Sequence, residues 1–359
     1  MYESIMWTYI CEEQNVLSEL LKNKEVEMGA KKLSSMEALY FVAHGSSYNA
    51  ANAIAPLISK LSKVRVYVYT PSQVMHNEIP LFHEDTDTAY VCGISQTGTS
   101  RGVLEALDKI KESDFAVIGI TDVEDSPLEQ KADLVFHLNC HGEDSNAKTK
   151  GYSSTLLVLY KMAIELAYSK GIIQDDFRDE LYAEIEKEIC DVPFAAQKVH
   201  DWCKSRNYGM GMSHVYVIGN GINYATAMEG QLKLMETVCI PTMFSNIEEF
   251  SHGMHRSLKD DSYVILLDTE KGHELTKKTY RYLSDKSMNV LMLGIGTAQE
   301  EKGVICLPEY KYTDSVFLTT VAIQVISAFV PELNGTDPNR CANDDYTEYV
   351  ETRVKKIIN

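Results

Sequence analysis

Basic residues are scarce in this 359-residue chain: 34 Lys and Arg stand against 52 Asp and Glu, leaving a formal charge of −18. A surface so balanced repels phosphate backbones and anionic lipid, which argues against nucleic-acid or membrane partners. Paired cysteine motifs are missing as well. Cys11, Cys92, Cys140, Cys190, Cys203, Cys239, Cys306 and Cys341 include no Cys-x-x-Cys spacing, so neither a zinc site nor a disulfide framework is expected. Several of them sit in apolar runs, where cysteine serves as a small buried hydrophobe. No strand leads into Gly-x-Gly-x-x-Gly, which argues against nicotinamide or flavin, and no cofactor is expected. The ten histidines are dispersed; His252 and His255 with Glu248 and Glu249 are the one group dense enough to suggest metal ligands, and none is expected. The amino end, Met1 to Trp7, has no basic stretch followed by an apolar one. The most apolar helical stretch, 153–168, is interrupted by Lys161 and Glu165 and is too short to span a bilayer. A soluble, cytoplasmic chain in a reducing compartment is expected.

What is present is a series of short apolar runs separated by helical stretches. Residues 4–23 have helical periodicity, with acidic residues early and Lys22 and Lys24 late. Apolar runs follow at 38–43, 64–69, 88–94, 115–120 and 134–138, and a long helix over 152–170 closes the half. Runs of this length alternating with helices predict βα units and a parallel sheet buried on both faces.

The second half repeats that order. Gly221-Ile-Asn-Tyr-Ala-Thr-Ala227 matches Gly45-Ser-Ser-Tyr-Asn-Ala-Ala51 at its Gly, its Tyr and its last Ala, 176 residues apart. Tyr263 to Leu267 answers Tyr90 to Ile94, and Val290 to Leu293 answers Val117 to Ile120, both at a separation of 173. Val304 to Leu307 answers 135–138, and a helix from Ser315 to about Ala328 answers the closing helix. Five elements in one order at a nearly constant offset predict two duplicated, doubly wound α/β domains. The expected division is an N-terminal helical segment 1–35, domains at 36–170 and 209–334, a connecting helical pair within 171–208, and a tail at 335–359.

In doubly wound sheets ligands bind beyond the carboxyl ends of the strands. Two such junctions in the first half are rich in hydroxyls: Gly45-Ser46-Ser47, and Ser95-Gln96-Thr97-Gly98-Thr99-Ser100. Helix N-termini with Ser and Thr donors suit a phosphate without needing Lys or Arg, although the same residues also serve as plain helix caps. The corresponding stretch of the second half reads Leu-Leu-Asp268-Thr-Glu270, whose carboxylates would repel an anion, so one copy alone is expected to hold it. On the helix after Asn223, Glu229, Lys233 and Glu236 fall at i, i+4 and i+7 on one face, and His252 follows sixteen residues later. A carboxylate and an imidazole are the parts that move protons between adjacent carbons. An ordinary surface ion pair with a surface histidine has the same spacing.

These segments, with Ala147-Lys-Thr-Lys-Gly-Tyr152, Ala227-Met-Glu-Gly-Gln-Leu-Lys-Leu-Met-Glu236 and Glu249-Phe-Ser-His-Gly253, resemble in order the double sugar-isomerase (SIS) family. That family includes the isomerase half of glucosamine-6-phosphate synthase and the fructosamine-6-phosphate deglycases. The resemblance runs over about residues 35–345. It implies that Ser47, Ser95, Gln96, Thr97 and Ser100 hold a sugar phosphate, with Gly45 and Ser46 beside them. Glu236 would be the base between C1 and C2, and His252 the acid, reaching the site from the other subunit of a homodimer. Glu143, Glu229 and Lys233 would line the sugar.

Departures from the family bear on the chemistry. The synthase begins with a cysteine nucleophile and a glutaminase domain, whereas this sequence begins Met1-Tyr2 and enters the fold within about 40 residues, so transfer of ammonia from glutamine is not expected. The synthase's imine-forming lysine has no counterpart in 335–345, Met254 replaces a proline, and Thr99 replaces a glutamate. The sequence reading therefore leans to a deglycase that releases an amine from a 6-phosphorylated sugar–amine conjugate. An amino-sugar-phosphate isomerase or deaminase is the alternative. A regulator that binds the sugar phosphate without catalysis is a third reading, for which no DNA-binding module is visible.

Overall fold

The computed structural model describes residues 3–269, 272–286, 288–296, 302–340, 342–343 and 345–354. Two five-stranded parallel sheets carry the fold. The first comprises β1 (Ala38–Ala43), β2 (Arg65–Tyr69), β3 (Ala89–Ile94), β4 (Ala116–Thr121) and β5 (Leu134–His137), in the order β2-β1-β3-β4-β5. The second comprises β6 (Val215–Gly219), β7 (Thr242–Ser245), β8 (Tyr263–Asp268), β9 (Asn289–Ile295) and β10 (Val304–Leu307), in the order β10-β9-β8-β6-β7. Read from β7, the second order is the first repeated strand for strand, so the chain is a duplicated α/β fold with helices flanking each sheet. Every residue of β1, β6 and β8 is buried, the signature of central strands covered on both faces.

Two compact units contain these sheets, and they are interleaved in sequence. One is Asn15–Glu143, Lys150–Ala183 and Asn343–Asn359; the other is Met1–Gln14, Asp144–Thr149 and Glu184–Ala342. The contiguous domains expected from the sequence therefore exchange short segments. The connector also differs from expectation: in place of a helical pair, Asp175–Arg206 is one 32-residue helix with Pro193 inside it. Its buried positions Leu181, Ile185, Ile189, Val192, Ala195, Val199 and Cys203 run without a break past the proline, and no glycine interrupts it. The first helix begins at Met6, so its first turn carries no acidic residue.

Buried charges are used as clips. In helix Lys150–Ser169 every residue from Lys150 to Ala167 is buried. Its Lys161 donates to the carbonyls of Leu20 (2.6 Å), Leu21 (3.0 Å) and Asn23, closing the open end of helix Met6–Lys22. Glu165 accepts from Arg178 Nε at 2.9 Å and Tyr182 OH at 2.7 Å. In the other unit Glu188 is fully buried and accepts from the backbone N–H groups of Phe317 (2.8 Å) and Leu318 (3.2 Å) and from the Thr313 hydroxyl. It thus caps Val316–Leu333, the one described helix long and apolar enough to cross a membrane, whose 18-residue window is 83% buried.

Candidate active site

Ala43 of β1 lies opposite Ile94 of β3, so the two hydroxyl-rich loops leave neighbouring strands at the same edge. Gly45, at φ +53°, turns β1 into helix Gly45–Ser62, whose first turn holds half-buried Ser46 and Ser47. After β3, Ser95 is buried and its hydroxyl lies 2.9 Å from that of Ser100, the residue preceding helix Arg101–Lys111. Thr97 and Thr99 pair their hydroxyls at 2.9 Å. Gly98 permits the turn: it sits at φ +66°, and a Cβ there would lie 2.3 Å from Ser126.

Gln96 is held from two sides. Its carbonyl accepts from Asp122 N (2.9 Å) and Thr121 Oγ1 (3.2 Å), and its amide donates to Glu143 Oε2 at 3.1 Å. Glu143 also accepts from Gly151 N at 3.1 Å. Two contributors were missed in the sequence. Asp122 accepts from the backbone of Cys140 (2.7 Å) and Gly142 (2.9 Å), fixing the loop that carries Glu143. Gly151 leaves room for Gln96, whose Nε2 would lie 2.4 Å from a Cβ at that position. The Asp just after β4 was the readable signal for the first; the second lies in the 147–152 segment, whose sequence does not show that it faces Gln96.

In the other unit, Gly221 (φ +58°) turns β6 into helix Ile222–Thr237. The surface ion pair that spacing alone allowed is instead enclosed: Lys233 and Glu229 meet at 2.7 Å with side chains 0% and 1% exposed. Lys233 also donates to the Lys148 carbonyl. The helix departs from a usual amphipathic one: beside Ala225, Ala227 and Leu234 it buries Asn223, Thr226, Glu229, Lys233 and Thr237, while Tyr224 and Met235 are exposed. Glu236 is half-buried, with Oε2 enclosed and, among the described residues, without a hydrogen-bond partner. Burial pushes its carboxyl up to about 7; Glu229 adds to the rise, while Lys233 and Lys148 oppose it.

His252 ends helix Ile247–His252 and is exposed. Among the described residues it forms no hydrogen bond or ion pair, with Glu236 or with any other side chain. Its neighbour His255 faces the Phe250 carbonyl through Nδ1 at 3.1 Å. At the end of β8, Asp268 occupies the place of Ser95 in the duplicated order. It is fully buried, with Oδ2 2.9 Å from His273 Nδ1 and Oδ1 without a partner, and burial pushes its carboxyl up to about 6. Glu270 lies outside the described residues.

Twin parallel sheets, a hydroxyl-rich helix entry on one and a helix of enclosed charges on the other define the class: a duplicated α/β protein whose copies have diverged in chemistry. The SIS domain family model matches residues 32–165 and 211–302, more than half of the chain, and the protein belongs to that family. It is related to the isomerase region of glucosamine-6-phosphate synthase-type enzymes. Isomerizing glutamine–fructose-6-phosphate aminotransferase of Clostridium tetani is 26% identical over 339 residues, covering 91% of this chain and 54% of that protein. The chain thus spans about half the length of the curated relatives it matches. A Clostridium difficile 630 protein assigned as a phosphosugar isomerase shares the fold at a TM-score of 0.89 and 23% identity, with 100% of both chains covered. The C-terminal domain of glucosamine-fructose-6-phosphate aminotransferase from Francisella tularensis shares it at 0.84 and 21% identity, covering 94% of this chain and 99% of that one.

Proposed function

We propose that this protein is a phosphosugar isomerase acting on a 6-phosphorylated sugar or amino sugar by proton transfer between C1 and C2. The observation that carries the reading is Glu236: its carboxyl is pushed up to about 7, with one oxygen enclosed, beside a buried Lys233–Glu229 pair. A general base works best with a pKa near the operating pH. In this reading Glu236 takes the proton from one carbon, leaving an enediolate, and returns it to the other carbon while a proton passes from the hydroxyl oxygen of one carbon to the carbonyl oxygen of its neighbour. Ser47, Ser95, Gln96, Thr97 and Ser100 hold the phosphate, beside Gly45 and Ser46. Glu143, Glu229 and Lys233 line the sugar.

His252 completes the site from the second subunit of a homodimer. Its exposure and its lack of a partner among the described residues support that role, as do the exposed Tyr224 and Met235. The reading keeps the sequence's expectations of a cytoplasmic setting, of no metal or cofactor and, from the formal charge of −18, of no nucleic-acid or membrane partner. The domain roles follow: phosphate in 36–170, acid–base chemistry in 209–334.

Names among the relatives favour isomerase or deaminase chemistry over the deglycase to which the sequence leaned; they include a glucosamine-6-phosphate deaminase of Thermotoga maritima. Amine release from a fructosamine 6-phosphate remains a second reading, supported by the absence of lysine between Gly335 and Asp345. Incubation with fructose 6-phosphate, glucosamine 6-phosphate and fructosamine 6-phosphates in deuterated water tests both. Isomerised or deaminated product carrying solvent deuterium at C1 or C2 supports the proposal. Free amine with hexose 6-phosphate from the conjugates alone favours the second reading, and binding without product or exchange favours a sensor.

A further inference from the structure

The phosphate loop has a charge deficit. Its side chains are hydroxyls and an amide, the protein carries −18, and the nearest cation in sequence, Arg101, is engaged: its Nε donates to the Glu351 carbonyl at 2.7 Å and its Nη2 lies 3.2 Å from Glu351 Oε2. The C-terminal segment that binds Arg101 runs antiparallel beside the loop. Arg101 N donates to Thr352 O at 3.1 Å, and Val354 N donates to Thr99 O at 3.0 Å, which sets Arg353 directly opposite Ser100.

The hydrogen bonds flank this pair rather than join it. Such a non-hydrogen-bonded pair in an antiparallel ladder has the closest Cα atoms, with both side chains on one face. Ser100 uses that face to reach Ser95 at 2.9 Å, so Arg353 extends from the same side as the two serine hydroxyls. Val354, the next residue, packs against the core of this unit and holds the segment down on its other face. Arg353 itself is exposed, and among the described residues no carboxylate pairs with it.

We infer that Arg353 supplies the cation for the substrate's phosphate, as a guanidinium added from the chain's end to the hydroxyl loop. This rests on the phosphate reading above and extends it. Guanidinium matches a phosphate in two parallel N–H···O bonds, a contact that no other residue of the loop provides.

The test is calorimetric binding of fructose 6-phosphate and of inorganic phosphate to the full chain and to Arg353→Gln, Arg353→Lys and Ser95→Ala. Arg353→Gln is expected to weaken both ligands tenfold or more and to flatten the dependence on salt, while Arg353→Lys recovers part of the loss. Wild-type affinity in Arg353→Gln, with Ser95→Ala weakened, overturns the role of Arg353 and leaves the phosphate loop standing. A lysine variant as weak as the glutamine one overturns it too, because the loss would then reflect the segment's docking. Wild-type protein that binds neither ligand overturns both readings.

Discussion

Lys233 Nζ lies 2.7 Å from Glu229 Oε1, one helical turn away, and neither side chain reaches solvent. Such a pair is costly to break on one side only, because the surviving charge is left buried. Lys233→Met is expected to lower unfolding free energy by about 3–5 kcal/mol, and Lys233→Met with Glu229→Met to recover much of that. Urea denaturation of the two variants measures the difference.

If Glu236 is the base, it ties activity to pH. Its folded-state value of about 7 lies above the ordinary 4.5, so the folded protein binds the extra proton and stability falls as pH rises from about 4.5 to 7. Glu236→Gln removes that dependence and should gain on the wild type across the same window, with no further gain above it. Turnover has the opposite sign: a base must be ionised, so kcat/KM rises through about pH 7 to a plateau. Glu236→Gln is expected to lose a factor of about 10²–10⁴ while still binding the phosphosugar. Denaturation and rate profiles between pH 4 and 9 check both.

Mixing two inactive variants tests the shared site. If His252 comes from the second subunit, a heterodimer of Glu236→Gln with His252→Asn holds one complete site and one doubly altered site. Random re-pairing of equal amounts then restores about a quarter of wild-type activity, a consequence of two-fold symmetry. No recovery after mixing places both residues in one subunit.

Glu188 caps helix Val316–Leu333 as a carboxyl that burial pushes up to about 8. The alanine variant orphans two buried N–H groups at about 1–3 kcal/mol each, whereas Glu188→Gln still offers an acceptor and should be mild. Since the folded value is raised, the stability tied to this proton declines from about pH 4.5 to 8, a slope the glutamine variant lacks. Thermal melts of both variants at several pH values are the measurement.

Gly151→Ala places a methyl group against Gln96. The expected result is a local packing cost of about 1–3 kcal/mol and roughly tenfold weaker binding of fructose 6-phosphate, as Gln96 loses its bond to Glu143. Calorimetry on the purified variant reads it directly.

Much of the fold could be read from apolar runs, since β1, β3, β6 and β8 are buried on both faces and stand out as uninterrupted hydrophobic stretches. β7 could not: Thr242–Ser245 is four residues long with polar ends, and its place is set by pairing with β6. The connector was expected as a helical pair, yet its apolar stripe continues past Pro193 in one helix. At the site, Glu229 and Lys233 were legible as a spaced pair, but their burial was not, because the helix turns its charges inward against the usual hydrophobic pattern. Asp122 stood out as an acidic residue just after β4, but the loop it holds did not, and Gly151 acts through empty space, which residue identity alone does not reveal.

Interleaving sets an order of events during synthesis. Ser4 N and Trp7 Nε1 each donate to Glu332 Oε1 at 2.7 Å, and Gln324 Nε2 donates to Glu13 at 2.8 Å. These residues therefore bond to partners made 311 to 328 positions later. At about 5–20 residues per second they wait on the order of tens of seconds for those partners, after the first sheet is already complete. A nascent chain halted near residue 300 would carry the segment around residues 4–13 without the partners Gln324 and Glu332, a natural point of capture for a chaperone.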